Sequence, residues 1–168
     1  VKRFLSKEEY LLLSKGTQEA LRAIEKSIKN ADQRIATIIR GDENLNHLSK
    51  LVTSVDNVGM VTCAAILIRT NEFQDFKESK KFSCTAGIAP FEHSSGKSIR
   101  GKTRVSHQAH KDLKTLLHMC AVGAISREGE LRDYYLRKVD QGKNKMLVLN
   151  AVRNKLVGRI FAVVRDGV

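Results

Sequence analysis

Apolar residues recur at Leu21, Ile24, Ile28, Ala31, Ile35 and Ile38, in steps that alternate between three and four. This is the seam of a heptad repeat. Tyr10 and Thr17 extend the register towards the N-terminus less regularly, and Glu25, Lys26, Lys29, Asp32 and Arg34 fill the other faces. Ser6-Lys7-Glu8-Glu9 has the form of a capping box and predicts the start of the helix. Gly41-Asp42-Glu43-Asn44 ends it. Two arrangements would cover such a stripe: packing on its own domain, or a coiled coil with a second copy. The second makes residues 1–44 a dimerisation helix and residues 45–168 a separate domain.

Beyond residue 44 the pattern stays helical. Leu45, Leu48, Leu51 and Val52 mark a short helix, and a second, rich in small residues, follows Val58-Gly59. Two helices about a tight turn outline a helix-hairpin-helix, in which backbone N–H groups near Gly59 would hold a phosphate. A plain helical hairpin fits the same residues, and Asp56 would repel phosphate. Phe73, Phe76 and Phe82 space out the next stretch, and Cys84-Thr85-Ala86-Gly87-Ile88-Ala89 predicts close packing up to Pro90. Residues 91–106, rich in Ser, Gly and basic side chains, read as a loop. Helices are expected from about Gln108 to Ile125, Glu130 to Val139 and Lys145 to Val164. Leu113, Leu116, Leu117, Cys120 and Ala121 face inward in the first of these. Leu147, Leu149, Val152, Leu156, Ile160 and Val163, or close neighbours, do so in the last. The expected fold is all-α or mostly α.

Charge narrows the function. Thirty Lys and Arg against eighteen Asp and Glu give a net +12, which suits a polyanion such as DNA. No apolar run reaches the ~18–20 residues that a membrane span needs. Nothing resembles a signal peptide, so a cytoplasmic protein is expected. Cys63, Cys84 and Cys120 fit neither a disulfide framework nor a zinc pattern and read as reduced, buried side chains. The chain opens on Val1 and runs almost at once into a helix, as an excerpt of a longer protein would.

The segment Glu92-His93-Ser94-Ser95-Gly96-Lys97-Ser98-Ile99-Arg100-Gly101-Lys102-Thr103-Arg104 carries the candidate chemistry. It lacks the spacing of a Walker loop. A serine that attacks a phosphodiester needs exposure, help in losing its proton, and cations around the phosphorane. Ser95 or Ser94 beside Gly96, with Lys97, Arg100, Lys102 and Arg104 following and His93, His107 and His110 nearby, offers these. A non-catalytic phosphate-binding loop fits the same residues.

Several elements, in order, resemble the C-terminal (transposase-20) domain of insertion-sequence transposases of the 110/116/902 type. They are Val52-x-Ser54-Val55-x-x-Val58-Gly59 with Thr62 and Ala64-Ala65, then Phe76-x4-Lys81-Phe82-x3-Ala86-Gly87-Ile88-Ala89-Pro90. Ser95-Gly96-x-x-x-Arg100-Gly101, Leu113-x-x-Leu116-Leu117 and Arg153-x-x-Leu156 follow. The resemblance runs over about residues 48–165. Two segments depart from the family pattern. Asp56-Asn57-Val58-Gly59 replaces the usual Pro-Gly-x-Gly, and Val105-Ser106-His107-Gln108-Ala109-His110 stands where Ser-Lys-x-Gly is common.

The resemblance implies a nucleophilic serine at Ser95, with Ser94 one residue away, and a phosphate contact from Arg100. It also implies an upstream RuvC-like nuclease domain with four acidic ligands for a divalent metal such as Mg. A coiled-coil segment would join the two domains, and a structured guide RNA would be a partner beside DNA. No cofactor is expected in the present chain, which alone should be inactive. Two other readings stand beside this one: a non-catalytic helix-hairpin-helix module that grips nucleic acid, and a dimerisation scaffold built on the N-terminal heptads.

Overall fold

A computed structural model of the chain describes residues 4, 6–95, 99–105 and 109–168, with the backbone alone for residues 91–95 and 99–104. The described residues form seven α-helices and one two-stranded sheet. They separate into two compact units, residues 1–41 and 42–168.

The first unit is one helix, α1 (Lys7–Gly41). Its 35 residues span about 52 Å at 1.5 Å per residue. The capping box forms: the Glu9 N–H donates to Ser6 Oγ (3.2 Å), and the Ser6 N–H donates to Glu9 Oε2 (2.8 Å). These two bonds hold the Glu9 carboxyl below its usual range. Leu21, Ile24, Ile28 and Ile38 are all more than half exposed, and of the helix's residues only Ile39 is buried.

The second unit begins with Asp42, whose carboxylate caps α2 (Glu43–Ser54) by accepting the Leu45 N–H at 2.9 Å. Helix α3 (Met60–Thr70) follows and packs on α2. It ends in three consecutive left-handed residues, Asn71, Glu72 and Phe73 (φ 48°, 55° and 62°). Such a conformation costs about 1–2 kcal/mol per residue outside glycine. Burial of Phe73 offsets the cost: its ring meets Phe161 edge-on at 5.1 Å, and the Thr70 hydroxyl accepts its N–H at 3.0 Å. Phe82, on α4 (Ser79–Thr85), completes the aromatic cluster against Phe161 and Phe76.

Three helices close the fold: α5 (Lys111–Ser126), α6 (Glu130–Asp140) and α7 (Lys145–Asp166). Helix α7 packs against α2, α4, α5 and α6, and its buried face runs through Val148, Leu149, Val152, Leu156, Val157, Ile160 and Phe161. Leu147 is 64% exposed, and its close neighbour Val148 takes the inward position. The helix starts at Lys145 behind its Asn144 cap, and this phase turns Leu147 outward.

The described part of residues 91–106 corrects the expected loop. Strands β1 (Pro90–Ser95) and β2 (Ile99–Val105) pair antiparallel, with an irregularity between Phe91 and His93. Ile99, Thr103 and Val105 place β-branched residues, which favour a strand, at three of the four alternate positions of β2, Gly101 being the fourth. The start of α5 also differs from the expected Gln108. His110 is extended, and its N–H bonds to Thr85 O at 3.2 Å, so the helix begins at Lys111.

Candidate functional site

Besides the Ile88 and Ala89 N–H bonds to Ser83 O (3.0 and 3.1 Å) and the buried Ile88 side chain, three ties build the base of the β1–β2 hairpin. The His110 N–H reaches Thr85 O, joining the residue before α5 to the end of α4. Gly87 is left-handed (φ 65°), and a Cβ there would stand 2.3 Å from the Ala109 Cβ, so only glycine fits both the backbone and the space. The third tie comes from α7. Asn150 Nδ2 and Asn154 Nδ2 both donate to the carbonyl of buried Ile88, at 2.8 and 2.9 Å. Asn154 donates its other amide hydrogen to Asn150 O at 2.9 Å.

A buried cation sets the orientation of this pair. Arg153 is 6% exposed and donates through Nη1 to Asn150 Oδ1 (3.3 Å) and through Nη2 to His118 Nδ1 (3.1 Å). A guanidinium has only donors, so His118 Nδ1 must be the acceptor and its proton sits on Nε2. Removal from water lowers the His118 pKa, and the Arg153 charge lowers it further. Desolvation also lowers the pKa of Arg153, whose buried Nε has no hydrogen-bond partner. With its oxygen held by Arg153, the Asn150 amide is turned so that its NH2 faces Ile88. The chain His118–Arg153–Asn150–Ile88 therefore links α5 and α7 to the residue that precedes the hairpin by two positions.

The pairing register places the candidate residues. Ser95 pairs with Ile99, Ser94 with Arg100, His93 with Gly101 and Phe91 with Arg104. Arg100 thus stands across the ladder from Ser94, one residue from Ser95. Lys102 and Arg104 lie further along β2, towards the base. Lys97 and His107 lie outside the described residues.

The α2–α3 turn is a separate place. Gly59 is the N-cap of α3 in an extended conformation (φ −87°, ψ 172°), and a Cβ would meet nothing within 4 Å. The position does not demand glycine. The left-handed residue of the turn is Asn57 (φ 67°), which packs against Gly123 of α5: a Cβ on Gly123 would come within 3.1 Å of Asn57 Oδ1.

No three His, Cys, Asp or Glu side chains are grouped to hold a metal among the described residues. No helix among them is long and apolar enough to cross a membrane. Burial pushes the Cys63 thiol up to about 11, which leaves it protonated and unreactive near neutral pH.

Residues 49–136, slightly more than half of the chain, match the profile of the transposase IS116/IS110/IS902 family. The chain belongs to this transposase family. The match takes in the α2–α3 turn, the hairpin and α5. Among relatives of this transposase chain, the pilin gene-inverting protein of Moraxella bovis is 28% identical over 89% of the chain and 47% of its own length. The 44.8 kDa protein of insertion element IS116 from Streptomyces clavuligerus is 27% identical over 87% of the chain and 35% of its own length. The 43.6 kDa protein of IS110 from Streptomyces coelicolor is 29% identical over 71% of the chain and 29% of its own length. The transposase chain therefore spans less than half the length of these relatives.

Sequence reasoning missed the Asn150–Asn154 pair. The available signal was two amides four residues apart beside the apolar face of α7, where plain surface would not need them.

Proposed function

We propose that this chain is the C-terminal part of a DNA recombinase and that its hairpin serine attacks the DNA backbone. The observation that carries the reading is a pair of antiparallel strands that sets Arg100 opposite Ser94, next to Ser95, in a chain of a transposase family. The Moraxella relative is named for inverting a pilin gene. An inversion needs DNA cut and rejoined, and a covalent protein–DNA ester conserves the bond energy between the two steps.

In the proposed step Ser95 Oγ attacks phosphorus, and the bond from phosphorus to a deoxyribose oxygen breaks. The serine proton passes to a base, and the departing oxygen takes up a proton. The product is a phosphoserine ester, which a free deoxyribose hydroxyl resolves by the reverse exchange. Arg100, Lys102, Arg104 and Lys97 offset charge on the phosphorane, and Arg100 is suited to a forked contact. The base, and a divalent metal such as Mg, belong in this reading to an upstream acidic nuclease domain. A structured guide RNA, a cytoplasmic setting and a dimer built through residues 1–44 are parts of the same proposal. The turn at Gly59 adds a backbone phosphate contact to residues 45–168.

A denaturing gel of the full-length protein with labelled donor DNA tests the serine. Ser95→Ala should abolish the covalent adduct and leave DNA affinity nearly unchanged, because one hydroxyl adds little among many phosphate contacts. Arg100→Ala should weaken both. An adduct lost in Ser94→Ala and kept in Ser95→Ala moves the nucleophile by one residue. An adduct that survives both substitutions refutes the serine assignment in this segment, and a full-length protein that forms no adduct at all leaves a module that only binds nucleic acid.

A further inference from the structure

We infer that Asn150 and Asn154 of α7 are positioning residues for the hairpin serine, acting through the Ile88 carbonyl that both of them hold. This rests on the reading of the hairpin serine as the nucleophile.

The argument starts from how little else holds the hairpin. A two-stranded ribbon is marginally stable by itself. Among the described residues each strand's extensive contacts are with the other strand, and neither packs extensively on a helix. Its direction is set at the base. Two of the three ties there are a backbone hydrogen bond and a steric contact between Gly87 and Ala109. They fix the separation of the two legs. The remaining tie is made by polar side chains, and it hydrogen-bonds the base to α7 beside the core packing of Ile88.

Both lone pairs of the Ile88 carbonyl are occupied by this pair, from two positions one helical turn apart. Two donors on one acceptor resist tilt in a way that a single bond does not. The mutual bond from Asn154 to Asn150 O and the Arg153 contact to Asn150 keep both amides from flipping.

The ribbon amplifies any looseness. Seven residues separate Ile88 from Ser95, about 23 Å of extended chain at 3.3 Å per residue. A tilt of about 3° at the base then displaces the tip by about 1 Å, and a 1 Å misplacement of a reacting group costs about 100-fold in rate. Substitutions on α7 should therefore slow chemistry without touching DNA.

The test measures the rate of adduct formation at saturating donor DNA, and separately the Kd, in the full-length protein. Asn150→Ala/Asn154→Ala should lower the saturated rate by about 100-fold and shift Kd by less than about threefold. Asn154→Ala alone, which keeps the Asn150 bond and spares the fold, should lose about tenfold in rate. Amide hydrogen exchange should speed up across β1 and β2 and stay unchanged in the middle of α5 and α7. A saturated rate within threefold of wild type, a change confined to Kd, or unchanged exchange in the hairpin overturns the inference. Ser95→Ala and Ser94→Ala are run beside these variants. A wild-type rate in the asparagine variants while a serine variant is dead refutes the positioning role alone. An adduct that persists in both serine variants refutes the serine reading and the positioning role with it.

Discussion

His118 accepts a hydrogen bond from a guanidinium, and this governs its response to protons. Protonation would remove the acceptor and set a second cation beside Arg153. Desolvation and that charge both depress the folded-state pKa below the ordinary value of about 6.5, which the unfolded chain retains. The unfolded state therefore binds the proton first. Stability is fully present above the unfolded value and falls as pH drops from about 6.5 through the lowered folded value. Thermal melts between pH 7.5 and 5 should show a steeper loss of Tm in the wild type than in His118→Asn, which keeps an acceptor that does not titrate. Equal slopes would mean that His118 contributes nothing to the acid response. At this scale the sequence showed the residue types and hid their relations. Ser94, Ser95 and Arg100 stood out as candidates. That Arg100 pairs with Ser94 depends on the irregularity between Phe91 and His93, which no local pattern announces. Arg153 was visible only as one residue of a family motif, because its partners come from another helix and another turn.

Among the elements, α1 keeps its apolar seam exposed along its length, with Ile24 and Ile28 each 56% exposed and Ile38 65%. Water contact along such a stripe is unfavourable, and a second copy of the helix is the proposed cover. Ile28→Glu together with Ile35→Glu should turn a dimer into a monomer in sedimentation velocity. A wild-type chain that is already monomeric at high concentration would overturn the dimer. The longer helices were legible because each carries a 3.6-residue pattern over at least two turns, and α1 also has a recognisable start at Ser6. The hairpin was not. Its alternating Ile99, Thr103 and Val105 are interleaved with Arg100, Lys102 and Arg104, and charge density there reads as loop. The onset of α5 was missed for a related reason: a long-range bond from His110 to Thr85, not a capping side chain, decides where that helix begins.

For the whole molecule, the +12 charge should dominate affinity for nucleic acid. Each phosphate neutralised releases counterions, so a surface that contacts six of them loses about 10³ in affinity between 50 and 200 mM salt. Titration of unrelated duplexes at those two ionic strengths should show this fall with little sequence preference. Affinity that ignores salt would remove the electrostatic account of binding.

The tie between α7 and Ile88 also sets a schedule. Its two hydrogen bonds close over 62 and 66 residues of sequence. At 5–20 residues per second, a ribosome needs roughly 3–13 s to go from one end of that span to the other. In the later part of this interval, once Val105 has been made, the nascent chain holds both strands of the hairpin but not yet the asparagines that hold the Ile88 carbonyl. A product cut short between Val105 and Asn150 would, on the proposed reading, carry both strands of the hairpin without the two amides that position it.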